Sequence, residues 1–226
     1  MHLTQTGFNI NKKIRSLLII PINLFVLMRY GLTRFAANLV EKIIPGIYFA
    51  VAGSDRVYLT FDDGPHPETT PRILDLLDRH QVKATFFCTG MNAGKYPLIY
   101  ESILAAGHKT GNHSWSHPNG WTTPADKYVA DVNRASAIIR SGLFRPPYGR
   151  ITPFQYHTLK EDYRIIMWTR QFADYRKVLN PDKVNTSGIR AGEILVLHDS
   201  VSTAANTIPL LKKLLAGSGE YGVIQL

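Results

Sequence analysis

From residue 56 onward the period of the apolar positions switches back and forth between that of a strand and that of a helix. Short apolar or β-branched runs at residues 57–61, 84–88, 109–112, 144–145, 164–168, 194–198 and 223–226 read as strands. Helical patterns fill the intervals. Thr70 followed by Pro71 opens one that carries Ile73, Leu74, Leu76 and Leu77, and Pro97 opens another that runs to Ala106 and stops at Gly107. Three more are predicted at residues 125–140, 153–161 and 205–216. Strands alternating with helices predict an α/β fold, a mostly parallel sheet or barrel with its helices outside. No internal repeat or low-complexity linker interrupts this region, so residues 53–226 read as one domain.

Residues 1–52 read as a leader and an amphipathic helix. Lys12, Lys13 and Arg15 precede an apolar stretch at 17–28, the order found in a signal peptide, yet no small-residue cleavage site follows directly. Arg29 closes the stretch before it is long enough to cross a bilayer comfortably. Residues 32–44 then place apolar side chains at helical spacing until Pro45-Gly46, which predicts a helix that packs under the domain or lies on a membrane. Membrane association through this segment, in the cell envelope, is the favoured location, with the cytoplasm as the alternative.

With 226 residues, 45% hydrophobic and 19% charged, the chain is long enough for one large globular core and is not a disordered tail. The net charge of +9 is spread along the sequence, which argues against a nucleic-acid partner and for a basic monomer with a mild preference for anionic surfaces. Cys88 is the one cysteine, so no internal disulfide forms; within Ala84-Thr85-Phe86-Phe87-Cys88 it reads as a buried hydrophobe.

Chemistry enters where polar residues fall. Asp62-Asp63, His113, Arg145 and His198-Asp199 each sit at the C-terminal end of a strand-like run, the rim on which parallel barrels assemble active sites. At a strand end the chain is turning, so Asp62 and Asp63 can converge on one site, one binding a metal and the other staying free as a base; alone, the pair also reads as a solvated turn. His113-Ser114-Trp115-Ser116-His117 puts two imidazoles four residues apart, which on a helical turn would share a face. With Asp63 they make a three-ligand set for zinc or a similar divalent ion, with positions open to water and substrate. Arg145-Pro146-Pro147-Tyr148 is conformationally stiff, suiting an arginine that holds a carboxylate and a Tyr148 backbone N–H aimed at a developing oxyanion. His198, delivered by the run 194–198, is alternatively a structural histidine. Ser200 beside it invites a hydrolytic triad, but adjacent residues on an extended chain point apart.

In this order Thr60-Phe61-Asp62-Asp63-Gly64, His113 with His117, Arg145-Pro146-Pro147-Tyr148 and Leu195-Val196-Leu197-His198 closely resemble the polysaccharide deacetylase family, carbohydrate esterase family four. The resemblance spans residues 56–226 and implies a deformed, incompletely closed (β/α) barrel. It further implies Asp62 as general base, Asp63, His113 and His117 as ligands of a divalent metal (zinc, or cobalt), Arg145 orienting Asp62, Tyr148 as oxyanion donor and His198 as general acid. Asp174 would support the Arg145 and His198 network. One motif departs from the family pattern: Gln171 stands for the first of two aspartates and Tyr175 for a tryptophan. The implied partner is an acetylated glycan, with removal of N-acetyl groups from acetylglucosamine units expected, an O-acetyl esterase such as an acetyl-xylan esterase as the alternative, and a catalytically silent carbohydrate-binding domain as the rival.

Overall fold

The computed structural model describes residues 41–42, 44–177, 179–217 and 222–226. The apolar stretch 17–28 and most of the predicted helix 32–44 lie outside them. Among the described residues nine strands share one sheet: β1 (Ile47–Tyr48), β2 (Val57–Asp62), β3 (Thr85–Cys88), β4 (Lys109–Asn112), β5 (Leu143–Phe144), β6 (Arg164–Ile166), β7 (Arg170–Gln171), β8 (Ile194–His198) and β9 (Val223–Ile224). Their order is β1-β6-β5-β4-β3-β2-β8-β7, with β9 also on β2, and these pairings are parallel. The strand β1, ahead of residue 53, thus pairs with β6.

The sheet curls into a barrel that does not fully close. Among the described residues its edge strands β1 and β7 do not pair with each other; beside them Val51 N–H donates to the Gly192 carbonyl (2.8 Å), the Thr169 hydroxyl to the Phe49 carbonyl (3.0 Å), and Ala50 bridges Glu193. Outside lie α1 (Thr70–Arg79), α2 (Gly90–Lys95), α3 (Pro97–Ala105), α4 (Ala125–Ser136), α5 (Pro153–Leu159) and α6 (Ala204–Ala216). Pro at the first turn starts α1, α3 and α5, and Thr152 closes a capping box with Gln155 ahead of α5.

Strand side chains alternate between two cores, and that alternation aims the site. Leu59 and Phe61 of β2, with Leu195 and Leu197 of β8, pack outward with Ile73, Leu77 and Leu211 from the helices. Tyr58 of β2, Ile194 and Val196 of β8, and Phe87 of β3 belong instead to an inner cluster with Trp168. Asp62 and His198 continue the inward series of their strands, four positions beyond Tyr58 and two beyond Val196. Burial on both faces explains why β2 reads as an unbroken apolar run.

The observed elements differ from the predicted ones where the ladder is short. The run 164–168 splits, because the chain leaves the ladder after Ile166 and resumes as β7. The strand β1 and the helix α2 were not anticipated: two residues carry no periodicity, and Gly90-Met91-Asn92-Ala93-Gly94-Lys95 has no apolar stripe.

Candidate active site

The strands β2 and β8 end side by side, with Asp62 in register with His198. The Asp199 N–H donates to the Asp62 carbonyl (2.7 Å), tying the two ends together. At Asp63 the backbone enters the left-handed region (φ 78°), and Asn92 Nδ2 holds its carbonyl (2.7 Å). Gly64 is required at the next position, since a Cβ there would lie 2.3 Å from Asp199 Oδ2.

Arg145 is fully buried behind Asp62. Its Nη1 donates to Asp62 Oδ1 and to the Thr60 hydroxyl (2.7 Å each), its Nε to the Ile166 carbonyl (3.1 Å) and its Nη2 to the Met167 carbonyl (3.0 Å). The guanidinium also stacks on Phe87, 4.1 Å from the ring centre. A buried ion pair is tolerable only when desolvation is offset by such a full set of bonds. Burial drives the Arg145 pKa down, and the Asp62 carboxylate opposes it. Asp62 is thereby fixed in direction while still lining the groove.

Asp63, His113 and His117 come together, with a potential ligand atom from each inside a 4.8 Å cluster. The two histidines do not sit on a helical turn as the spacing suggested. Ser114 (φ 66°) and His117 (φ 60°) are left-handed, and the loop is bound instead by side chains. Asn112 Oδ1 accepts from the Ser114 N–H (2.7 Å), and Asp131 Oδ1 from Trp115 and Ser116 N–H (2.8 and 3.0 Å). His113 Nδ1 lies 2.7 Å from the Arg145 carbonyl. A carbonyl only accepts, so Nδ1 carries a proton, and Nε2 is the nitrogen turned toward Asp63 Oδ1, 3.6 Å away. His117 Nε2 is 3.2 Å from the same oxygen. That oxygen is buried and accepts no hydrogen bond. Two imidazole nitrogens converging on a buried carboxylate oxygen are a donor set that suits a divalent cation, and the carbonyl bond behind His113 is the outer support such ligands use. Burial acts to raise the Asp63 pKa, but the two imidazoles outweigh it and hold the carboxyl well below its ordinary range.

Across β2, His198 Nδ1 lies 2.7 Å from Asp174 Oδ1, and its backbone N–H donates to Asp174 Oδ2 (2.7 Å). Asp174 is fully buried and also accepts from the Thr207 hydroxyl (2.7 Å). Burial favours neutral His198, yet the Asp174 bond and charge, with Asp63 and Asp62 behind them, raise its pKa to about 9. Tyr175 packs edge-on against the His198 ring (5.5 Å).

Tyr148 occupies a tight turn with φ 59°, and its half-exposed ring packs edge-on against His117 (4.6 Å). That turn's bonds run from Gly149 and Arg150 N–H to the Pro146 and Pro147 carbonyls (2.9 and 3.0 Å) and do not use the Tyr148 N–H. The site opens as a groove of about 430 Å³ lined by Asp62, Asp63, His113, His117, Tyr148 and His198, with Arg150, Trp168, Gln171 and Tyr175. Of the residues expected from sequence, those six face the groove, while Arg145 and Asp174 stand behind Asp62 and His198. Arg150, Trp168 and the buried Asp199 were missed. Asp199 adjoins His198 in sequence and was assigned nothing beyond its strand end; Trp168 opens the motif that carries Gln171 and Tyr175, and Arg150 follows the run ending at Gly149, but neither was given a role. Cys88 is buried with its thiol pKa pushed far up by that burial, in keeping with an inert packing role.

The polysaccharide deacetylase family profile matches residues 51–161. A peptidoglycan-N-acetylglucosamine deacetylase of Bacillus cereus is 40% identical over 174 residues, covering 69% of this chain and 63% of its own, so the match spans less than two thirds of that relative. A chitooligosaccharide deacetylase of Bradyrhizobium is 36% identical, covering 67% and 74%. Among solved structures, the peptidoglycan N-acetylglucosamine deacetylase Bc1960 superposes with a TM-score of 0.76 at 31% identity, over 84% of this chain and 92% of that one. A pseudoenzyme of the same esterase family from Bacillus anthracis superposes with a TM-score of 0.70 at 26% identity, over 80% and 68%.

Proposed function

Because the chain belongs to the polysaccharide deacetylase family of deacetylating hydrolases, we propose that it removes N-acetyl groups from acetylglucosamine units of a glycan such as peptidoglycan or chitooligosaccharide. The observation that carries this reading is the placing of two different carboxylate–imidazole arrangements on one groove, Asp63 with His113 and His117, and Asp174 with His198. The first is suited to hold a divalent ion, for which zinc is proposed. Such an ion supplies Lewis acidity toward a carbonyl and makes water a better nucleophile near neutral pH.

The side chains supply the proton movements. Asp62, held by Arg145 and kept off the imidazole cluster, takes the proton of the attacking water. The Tyr148 backbone N–H, spare in its own turn, donates to the oxyanion that forms on the acetyl carbon. His198 enters the reaction protonated, because Asp174 stabilises the imidazolium, and gives its proton to the departing nitrogen.

An amine leaves poorly without a proton, whereas an alkoxide from an ester depends on one less. A buried Asp174 devoted to His198 therefore favours amide over ester substrates. It also argues against a silent binding domain, for which neither Asp62 nor His198 would need such support. The test is acetate release from acetylated chitooligosaccharides, peptidoglycan and acetylated xylan by zinc-loaded protein. Release from the N-acetylated glycans ahead of xylan is expected, and no release from any of them would sink the proposal.

A further inference from the structure

The two histidines of the proposed ligand set are mounted differently. His113 still belongs to the sheet: its N–H donates to the Cys88 carbonyl at the end of β3 (2.9 Å), and its ring is held through Nδ1 by the Arg145 carbonyl (2.7 Å). His117 lies beyond the sheet. Among the described residues its ring has no bond of that kind, only the Asp63 oxygen at Nε2 (3.2 Å) and edge-on packing against His113 and Tyr148. Its place at the site is therefore set by the backbone of the loop 114–117, which carries two left-handed residues, Ser114 and His117. A backbone in that region relaxes unless neighbouring groups hold it.

That hold comes from two helices. From α2, the Gly90 and Met91 N–H groups donate to the Ser114 and Trp115 carbonyls (2.8 and 3.1 Å). From α4, Asp131 takes the amides of the same strip: Oδ1 accepts from Trp115 and Ser116 N–H (2.8 and 3.0 Å), and Oδ2 from the Ser116 hydroxyl (2.6 Å). One carboxylate thus fastens the two residues that precede His117 with three charge-assisted bonds. Further along α4, the Arg134 guanidinium lies 3.9 Å from the centre of the Trp115 ring, a contact with the side chain and not the backbone. Ser114 Oγ takes the His117 N–H (3.1 Å), closing the loop on itself.

We propose that Asp131 is a positioning residue for the metal site: by fixing Trp115 and Ser116 it presents His117 beside His113 before any ion arrives, and so raises the affinity for a divalent cation. Asp131 lies outside both the ligand cluster and the groove lining, so it acts through His117. The inference rests on the proposed reading of Asp63, His113 and His117 as a divalent-cation site. Preorganised ligands bind more tightly because less order is lost on binding, and groups that orient metal ligands are worth about 10- to 100-fold in affinity.

Zinc is titrated against a competing chelator into metal-free parent, Asp131→Ala, Asp131→Asn and Arg134→Ala, with His113→Ala as the background. Asp131→Ala should weaken zinc binding about 10- to 100-fold. Asp131→Asn keeps an acceptor oxygen for the two N–H groups, so its loss should stay within about threefold. Arg134→Ala strips only the ring contact and should stay within about twofold. Hydrogen exchange on the metal-free proteins gives a readout independent of zinc: the Trp115 and Ser116 amides should exchange at least about tenfold faster in Asp131→Ala, while those of β2 and β3 keep their protection. Where Asp131→Ala does not fold, Asp131→Ser takes its place, with a hydroxyl one bond short of the loop. Zinc binding by Asp131→Ala within about threefold of the parent overturns the inference. So does an equal loss in Asp131→Asn or Arg134→Ala, which would assign the effect to charge or to general packing. A parent that binds no more zinc than His113→Ala overturns it together with the metal reading. Zinc bound in the expected ranking, with no acetate released from any acetylated glycan, defeats the deacetylase proposal alone.

Discussion

His113 and His198 both face the groove, and each has Nδ1 at 2.7 Å from an oxygen. The oxygen is what differs. Behind His113 it is the Arg145 carbonyl, neutral and already part of the backbone, which fixes a proton on Nδ1 and turns Nε2 toward Asp63. Behind His198 it is the Asp174 carboxylate, which stabilises the imidazolium and turns an acidic N–H outward. In the proposed function the same ring at the same distance serves as a metal ligand in one place and a proton donor in the other. The partner's charge, set by the fold, decides which.

The comparison breaks most completely if the ligand side is removed. His113→Ala should lose bound zinc and cut acetate release by at least about 10³-fold, since several kcal/mol of charge stabilisation go with the ion. Metal content by mass spectrometry, measured beside turnover, checks it; a zinc-replete variant would contradict the ligand assignment.

Making the two histidines alike is the next test. Asp174→Asn replaces the carboxylate behind His198 with a neutral amide, so the His198 pKa should fall from about 9 toward 6.5 and turnover should drop about 10²-fold with zinc retained. The imidazole titration is followed by NMR.

The acid side also leaves a mark on stability. The folded pKa of His198 is raised from 6.5 to about 9, so its contribution is fully present below about 6.5 and is lost as pH rises through about 9. In metal-free protein that contribution amounts to about 3 kcal/mol. Denaturant unfolding at pH 6 and pH 9.5 measures it, and Asp174→Asn should flatten the difference.

A smaller effect on turnover is expected at Asp199, a buried carboxyl with no imidazole partner. Burial pushes its pKa up to about 7, against the opposing bond from the Thr70 hydroxyl (2.6 Å) and with help from Asp63. Its stabilising contribution is complete below about 3.8 and is lost as pH rises through about 7. Asp199→Asn should remove that slope between pH 4 and 7 while leaving both histidine partners in place and turnover within about tenfold of the parent. A much larger loss would mean that the carboxylate form acts in the reaction.

Much of this site could be read from the chain because its residues end strands whose neighbours alternate visibly. The run from Val57 to Asp62 announces a buried strand, and the parity that buries Tyr58 inward also sends Asp62 inward. The residues behind the site were harder to see. The support that Asp174 gives His198 came only through family resemblance, since nothing local to Phe172-Ala173-Asp174 marks a partner 24 positions away. Two histidines four apart suggested a helix because spacing records distance along the chain and not backbone angle. The loop they occupy depends on Asp131, a helix residue with no local cue. The pairing of Trp121 with Arg150 across separate loops carried no periodic signal at all.

Of the six non-glycine residues with positive φ among those described, five are Asp63, Ser114, His117, Tyr148 and Ala173, in or beside the groove, and Gln81 is the sixth. Each left-handed L-residue costs on the order of 1 kcal/mol that a glycine would not. At Asp63, His117 and Tyr148 the side chain or backbone has a proposed task, and Ser114 Oγ accepts the His117 N–H, so relieving the penalty there would remove a group the proposal needs. Ala173 carries only a methyl group. It marks the place where protein engineering could recover thermal tolerance, by an Ala173→Gly exchange, while the reactive side chains keep the tense backbone that aims them.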